Sequence, residues 1–226
     1  MIINNSIRNR LVWLLPVLVL GLTTHAFTRE VAVTLPDAQV DASLLSAGHE
    51  ANAVFAGGCF WGVEAVFRHT KGVKTAVSGY AGGTTVAPSY EQVGTGMTGH
   101  AETVSVQYDP SVVSYGQLLK IFMSVAHNPT ELNRQGPDHG TQYRSVIFYT
   151  SSEQQKIAQA YLTQLKDARS FSAPIVTQLV ALERFYPAEG YHQNYLALHP
   201  DNPYVAYNDI PKLEELKRLY PALYRP

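Results

Sequence analysis

The stretch from Ala53 to Gly62, A-V-F-A-G-G-C-F-W-G, constrains this chain more than any other. An apolar run ends in Gly57-Gly58, and the residues after Cys59 set Val63, Val66 and Phe67 at helical spacing. The local expectation is a strand, a glycine turn, a thiol and a helix. Cys59 then stands at a helix start, where orphan backbone N–H groups and the positive helix end stabilise a thiolate and lower the thiol pKa. Phe60 and Trp61 suggest an apolar ligand surface beside it. A buried, inert cysteine is the competing reading. The flanking glycines weigh against it, because a plain core position does not require such close backbone approach.

Cys59 is the only cysteine in 226 residues, so no intramolecular disulfide forms and stability must come from a core large enough for one domain. The formal net charge is -1 with lysine and arginine scattered, and nothing in that balance asks for nucleic acid. Arg8 and Arg10 precede the apolar run Leu11 to Leu22, and Thr24-His25-Ala26 supplies small residues for a cut. The run is broken by Pro16 and is short for a spanning helix. The expectation is a signal peptide over residues 1–26 and a periplasmic or secreted protein, with no stable membrane insertion after removal. An uncleaved membrane anchor is the alternative.

Residues 27–51 read as a lead-in arm and the folded domain as 52–200, followed by a C-terminal extension over 201–226 that packs on it. Strands are expected near Asn52, over Val73 to Ser78, Ala101 to Tyr108, Tyr143 to Tyr149 and Val176 to Leu182. Helices are expected from Cys59 to His69, over Tyr115 to Val125, from Glu153 to Asp167 with Ser152 as cap, and from Asp209 to Leu219. Tyr191, His192 and Tyr195 are spaced for one helical face. The alternation points to one α/β or α+β unit. Within Ala101 to Tyr108, Glu102 shares a face with Val104, Val106 and Tyr108, which raises its pKa if the charged form is poorly solvated, unless it emerges at the sheet edge. His127, Asp138 and His139 match no common zinc spacing, so no metal site is expected.

With these residues in hand, the chain resembles the peptide methionine sulfoxide reductase A family. The resemblance rests on G-G-C-F-W-G at Gly57 to Gly62, S-G-Y-A-G-G at Ser78 to Gly83, P-S-Y at Pro88 to Tyr90, T-G-H-A-E at Thr98 to Glu102, and N-R-Q-G-P-D-H-G-T-Q-Y-R-S at Asn133 to Ser145. Five motifs in family order, between about Asn52 and Pro200, are specific. The resemblance implies a two-layer sandwich around a mixed β-sheet, with a ferredoxin-like plait core and extensions. It implies Cys59 as the nucleophile toward methionine S-sulfoxide, Glu102 as the acid, and Tyr90 and Tyr143 as hydroxyls addressing the sulfoxide oxygen. Phe60 and Trp61 match the pocket for the substrate methyl group, and Asp138 matches a residue organising that network. The substrates implied are oxidised proteins or peptides and free methionine sulfoxide.

The departure is as informative. Many members carry further cysteines near the C-terminus that attack the Cys sulfenic acid, and this chain has none after Tyr195. No bound cofactor is expected; an external thiol reductant, thioredoxin-like, glutaredoxin or glutathione, or another small thiol, must close the cycle. A monomer is expected. A noncatalytic module that binds oxidised methionine, and a thiol hydrolase using a distant histidine, stay open at this point.

Overall fold

The structure, a computed structural model, describes residues 32–44 and 48–226. The expected signal peptide lies outside the described residues, as do 27–31 and 45–47 of the lead-in arm.

Strand β1 (Ala51–Ala56) runs through the glycine pair into helix α1 (Phe60–Arg68). Strand β2 (Val73–Ala81), the short helix α2 (Tyr90–Gly94) and strand β3 (Ala101–Tyr108) follow. Helix α3 (Tyr115–Ile121) continues as a wider π-turn over Phe122–Ala126. The two-residue strands β4 (Arg134–Gln135) and β5 (Asp138–His139) pair as a small antiparallel hairpin. Strand β6 (Val146–Tyr149), helix α4 (Ser152–Asp167), and strands β7 (Gln178–Ala181) and β8 (Phe185–Pro187) complete the main layers. The C-terminal segment holds α5 (Tyr195–Leu198) and α6 (Ile210–Leu219).

The sheet has the order β7-β6-β1-β3-β2-β8, antiparallel throughout except for the parallel β6–β7 pair. Its centre, β6-β1-β3-β2 with crossovers through α1 and α3, is the ferredoxin-like plait, and the mixed two-layer sandwich is as expected.

Alternation along β1 and β3 sends Ala53, Phe55, Val104 and Val106 toward the helices, where they join Val63, Val66 and Phe67 of α1. Phe55 stacks on Phe67 at 5.1 Å and on Phe122 at 4.8 Å, tying sheet, α1 and the π-turn together. Truncating such a ring typically costs about 3–5 kcal/mol. Ala101 and Thr103, on the other face of β3, are buried too, because Val54, Ala56, Val146 and Phe148 form a smaller cluster there with Ala101.

Three local expectations change. The cap of α4 is Ser151, not Ser152: its side chain accepts from the Gln154 N–H at 3.2 Å. Tyr143 lies in a 3-10 turn over Thr141–Tyr143 rather than in β6. Tyr191, His192 and Tyr195 do not share a helix: Gly190–His192 is a 3-10 turn, and Asn194 adopts φ 55° before α5 begins. Glu64 of α1 fixes that break, its two carboxylate oxygens accepting from the Asn194 N–H at 2.9 and 3.0 Å.

Candidate active site

Cys59 is the N-cap of α1, with φ -54° and ψ 125°, and is 9% exposed. The glycines before it are required by space. A Cβ on Gly57 would lie 2.7 Å from the His127 ring, and one on Gly58, at φ +86°, would lie 2.5 Å from Gln135 Cγ. The β4–β5 loop and the π-turn thus close over the turn that presents the thiol.

The helix start does not depress the resting thiol. Burial pushes the Cys59 pKa well above its ordinary value, and the carboxylates of Glu102 and Asp209 add to that push. The Trp61 backbone N–H and the Lys212 cation act in the opposite sense and are outweighed. Desolvation of a charge in a closed site exceeds what one helix-end N–H returns.

Glu102 is on the valine side of β3, as its alternation requires, and is buried rather than emerging at an edge. Its Oε2 accepts from the Phe60 N–H at 3.0 Å, which links β3 to the first residue of α1 beside the thiol. Burial first, then the charges of Asp138 and Asp209, push its pKa up to about 8 against the opposing Phe60 hydrogen bond. Glu102 therefore carries a proton at neutral pH.

Tyr90 begins α2, which Ser89 and Gln92 close with a reciprocal capping box. Glu189 accepts from the Tyr90 N–H at 2.9 Å and from the Tyr80 hydroxyl at 2.8 Å, fixing that helix end over β2. The Tyr90 ring lies 6.4 Å from Phe60 and 4.2 Å from His192. Its hydroxyl pKa is pushed up to about 12, by burial and then by the nearby charges of Glu102 and Cys59. Tyr143 is raised as well, by burial and by Glu102, Asp138, Tyr90 and Cys59. Both phenols stay protonated donors.

Phe60 is buried, and Trp61 is partly buried against Tyr195, stacked at 3.7 Å. Asp138 accepts a hydrogen bond from the Tyr204 hydroxyl, and the Tyr204 ring meets Trp61 edge-on at 5.9 Å. Burial raises the Asp138 pKa and that hydrogen bond opposes it. The structure thus gathers Cys59, Phe60, Trp61, Tyr90, Glu102, Asp138 and Tyr143 about one helix start, from segments spread over more than eighty residues of sequence.

Four side chains in this cluster were not singled out as site residues from sequence. The Trp61 indole N–H donates to His192 Nδ1 at 3.1 Å, so His192 orients the aromatic wall. Burial lowers the His192 pKa, consistent with a neutral, accepting ring. Tyr204, Asp209 and Lys212 come from the segment expected only to pack. Asp209 is wholly buried, and Lys212 Nζ lies 3.4 Å from its Oδ1. An aspartate directly ahead of a proline-started helix reads from sequence as an ordinary cap, so no local signal set it apart.

His127 is a buried scaffold: its ring nitrogens meet the Phe122 carbonyl at 2.9 Å and Ser145 Oγ at 2.6 Å, and burial pushes its pKa down to about 3. Among the described residues no histidine hydrogen-bonds to the Cys59 sulfur, and no group of three His, Cys, Asp or Glu is placed to hold a metal ion.

The family described as Peptide methionine sulfoxide reductase matches residues 51–222. Peptide methionine sulfoxide reductase MsrA 2 of Mesorhizobium japonicum is 60% identical over 172 residues, 76% of this chain and 88% of that protein. The protein of the same description from Synechocystis is 49% identical over 188 residues, 82% of this chain and 88% of its own. In solved structures, reduced Mxr1 of Saccharomyces cerevisiae superposes with a TM-score of 0.63 at 32% identity, covering 71% of this chain and 94% of that one. Methionine sulfoxide reductase A of Corynebacterium diphtheriae gives 0.58 at 35% identity, covering 74% and 85%.

Proposed function

The chain belongs to the peptide methionine sulfoxide reductase family, and from that premise we propose that Cys59 attacks methionine S-sulfoxide while Glu102 protonates its oxygen. The protein is an enzyme that reduces methionine sulfoxide by thiol chemistry. The observation that supports the residue roles best is the buried Glu102, fixed by the Phe60 N–H next to the nucleophile, where burial pushes its pKa up.

Sulfoxide oxygen is a poor leaving group until it is neutralised. Neutral Glu102 gives its proton to that oxygen as the S–O bond breaks, and the proton of the Cys59 thiol replaces it on the carboxyl. Cys59 Sγ bonds to the substrate sulfur as the oxygen takes its proton, and the resulting hydroxyl then passes to Cys59 as that S–S bond breaks. The substrate sulfur gains two electrons and leaves as methionine; Cys59 loses two and becomes a sulfenic acid. Tyr90 and Tyr143, both held protonated, donate to the same oxygen, and Phe60 and Trp61 bound the methyl group. Asp138, through Tyr204, steadies the Trp61 side of that pocket.

A chain with one cysteine cannot form its own disulfide, so an external thiol must attack the sulfenic acid, releasing water and leaving a mixed disulfide for a second thiol to reduce. We place the reaction in the periplasm, supported by the charged, apolar and small-residue pattern of residues 1–26. Among the described residues no helix is long and apolar enough to cross a membrane. The test is a reaction of the reduced protein with N-acetyl-methionine S-sulfoxide and, separately, its R epimer. Methionine product from the S form alone is expected; no product from either with an intact thiol would overturn the reading.

A further inference from the structure

Asp209 and Lys212 sit against Gly62, three residues beyond Cys59, and their charges act on the Cys59 thiol. A Cβ on Gly62 would lie 2.2 Å from Asp209 Oδ1 and 2.7 Å from Lys212 Nζ, so both ends of the ion pair rest on the bare backbone of the first turn of α1. The second carboxylate oxygen, Oδ2, is buried with no hydrogen-bond partner. A buried pair with one orphaned oxygen is a poor source of stability, because desolvating it costs as much as its attraction returns. Its placement at the turn that Cys59 caps points to a use of its charge.

We propose that Asp209 and Lys212 are positioning residues for the attacking sulfur: Lys212 is the cation that meets the charge developing on Cys59, and Asp209 holds it against Gly62 and sets how much of that charge the sulfur feels. This rests on Cys59 being the nucleophile. The titratable groups that bear on Cys59 are Glu102 from β3, Tyr90 from α2, Tyr143 from the 3-10 turn, and Tyr204, Asp209 and Lys212 from the C-terminal segment. Lys212 is the cation among them. Burial keeps Glu102 neutral well below pH 8, whereas at Asp209 the neighbouring Lys212, 3.4 Å away, opposes the burial that raises its pKa.

The two partners have opposite charges, so removing them should move the thiol in opposite directions, whereas loss of mere packing would not. The experiment follows iodoacetamide alkylation of Cys59 against pH in the full chain, alongside formation of the first methionine from N-acetyl-methionine S-sulfoxide. Lys212→Met should raise the apparent thiol pKa and cut alkylation at pH 7 about tenfold; Asp209→Asn should lower it and speed alkylation by a similar factor. Lys212→Arg should keep the wild-type profile. Shifts of the same sign in Lys212→Met and Asp209→Asn, or an unchanged Lys212→Met profile, would overturn the proposal. If Asp209→Asn does not fold, the contrast between Lys212→Met and Lys212→Arg still decides it. Failure of the wild type to form methionine would instead overturn the reading of Cys59 as the sulfoxide nucleophile, leaving the alkylation profiles to judge the pair.

Discussion

Two buried carboxyls, Glu102 and Asp209, act on the same sulfur and are built differently. Glu102 projects from the start of strand β3, has the Phe60 N–H as partner, and has its pKa pushed up to about 8 by burial. Asp209 precedes a C-terminal helix, is paired with Lys212, and leaves one oxygen orphaned. Burial raises both, yet only Asp209 has a cation beside it to favour its charged form. The difference separates two tasks that one sulfur needs: a proton for the departing oxygen and a charge environment for the nucleophile.

The largest expected effect sharpens that division. Glu102→Gln keeps the shape and removes the acid, so the first methionine should form about 10²–10³-fold more slowly, in the range for losing a general acid. Asp209→Asn should change that rate by less than about tenfold, and a loss equal to that of Glu102→Gln in rapid-quench measurements would break the comparison. Next is pH. The proton-bearing form of Glu102 is full well below pH 8 and disappears above it, so the single-turnover rate should fall on the alkaline side in the wild type, and that limb should vanish in Glu102→Gln.

Stability gives a third, smaller effect with a definite sign. The folded pKa of Glu102 lies above the ordinary value of 4.5, so between pH 4.5 and 8 the folded chain binds more protons than the unfolded one. Stability contributed by this group is therefore present at low pH and falls as pH rises toward 8. Melting curves at pH 5 and pH 9 should show a wild-type loss that Glu102→Gln lacks, each ~1 kcal/mol appearing as about 2–4 °C. The smallest effect belongs to Tyr204→Phe, which removes the donor to Asp138. A loss of about fivefold to tenfold in kcat/KM, carried by KM, is expected from one hydrogen bond.

Much of this site was legible because its elements are locally determined. The run Ala53 to Phe67 switches from strand to helix periodicity across two glycines, and the alternation of β3 placed Glu102 on the buried face. What stayed hidden was set by tertiary contact. The thiol pKa depends on burial and on the charges of Glu102 and Asp209, with Gln135 and Lys212 packed on the glycines either side of Cys59, which no local pattern reports. The break at Asn194 is imposed by Glu64 from 130 residues away, against a helical spacing in the sequence. Gly62 read as one letter of a motif until the structure put a carboxylate and an ammonium where its side chain would be. The tail beyond Tyr195 was notable for the cysteines it lacks, while its contribution to the site is Tyr204, Asp209 and Lys212.

The most direct measurement is the stoichiometry of methionine released by the fully reduced chain with excess methionine S-sulfoxide peptide and no added thiol, with dimedone trapping at Cys59. One methionine per chain, one dimedone adduct on Cys59, and renewed turnover only when thiol is added are the predicted results. Continued turnover without thiol, or no methionine from a chain whose Cys59 is intact, would contradict the account.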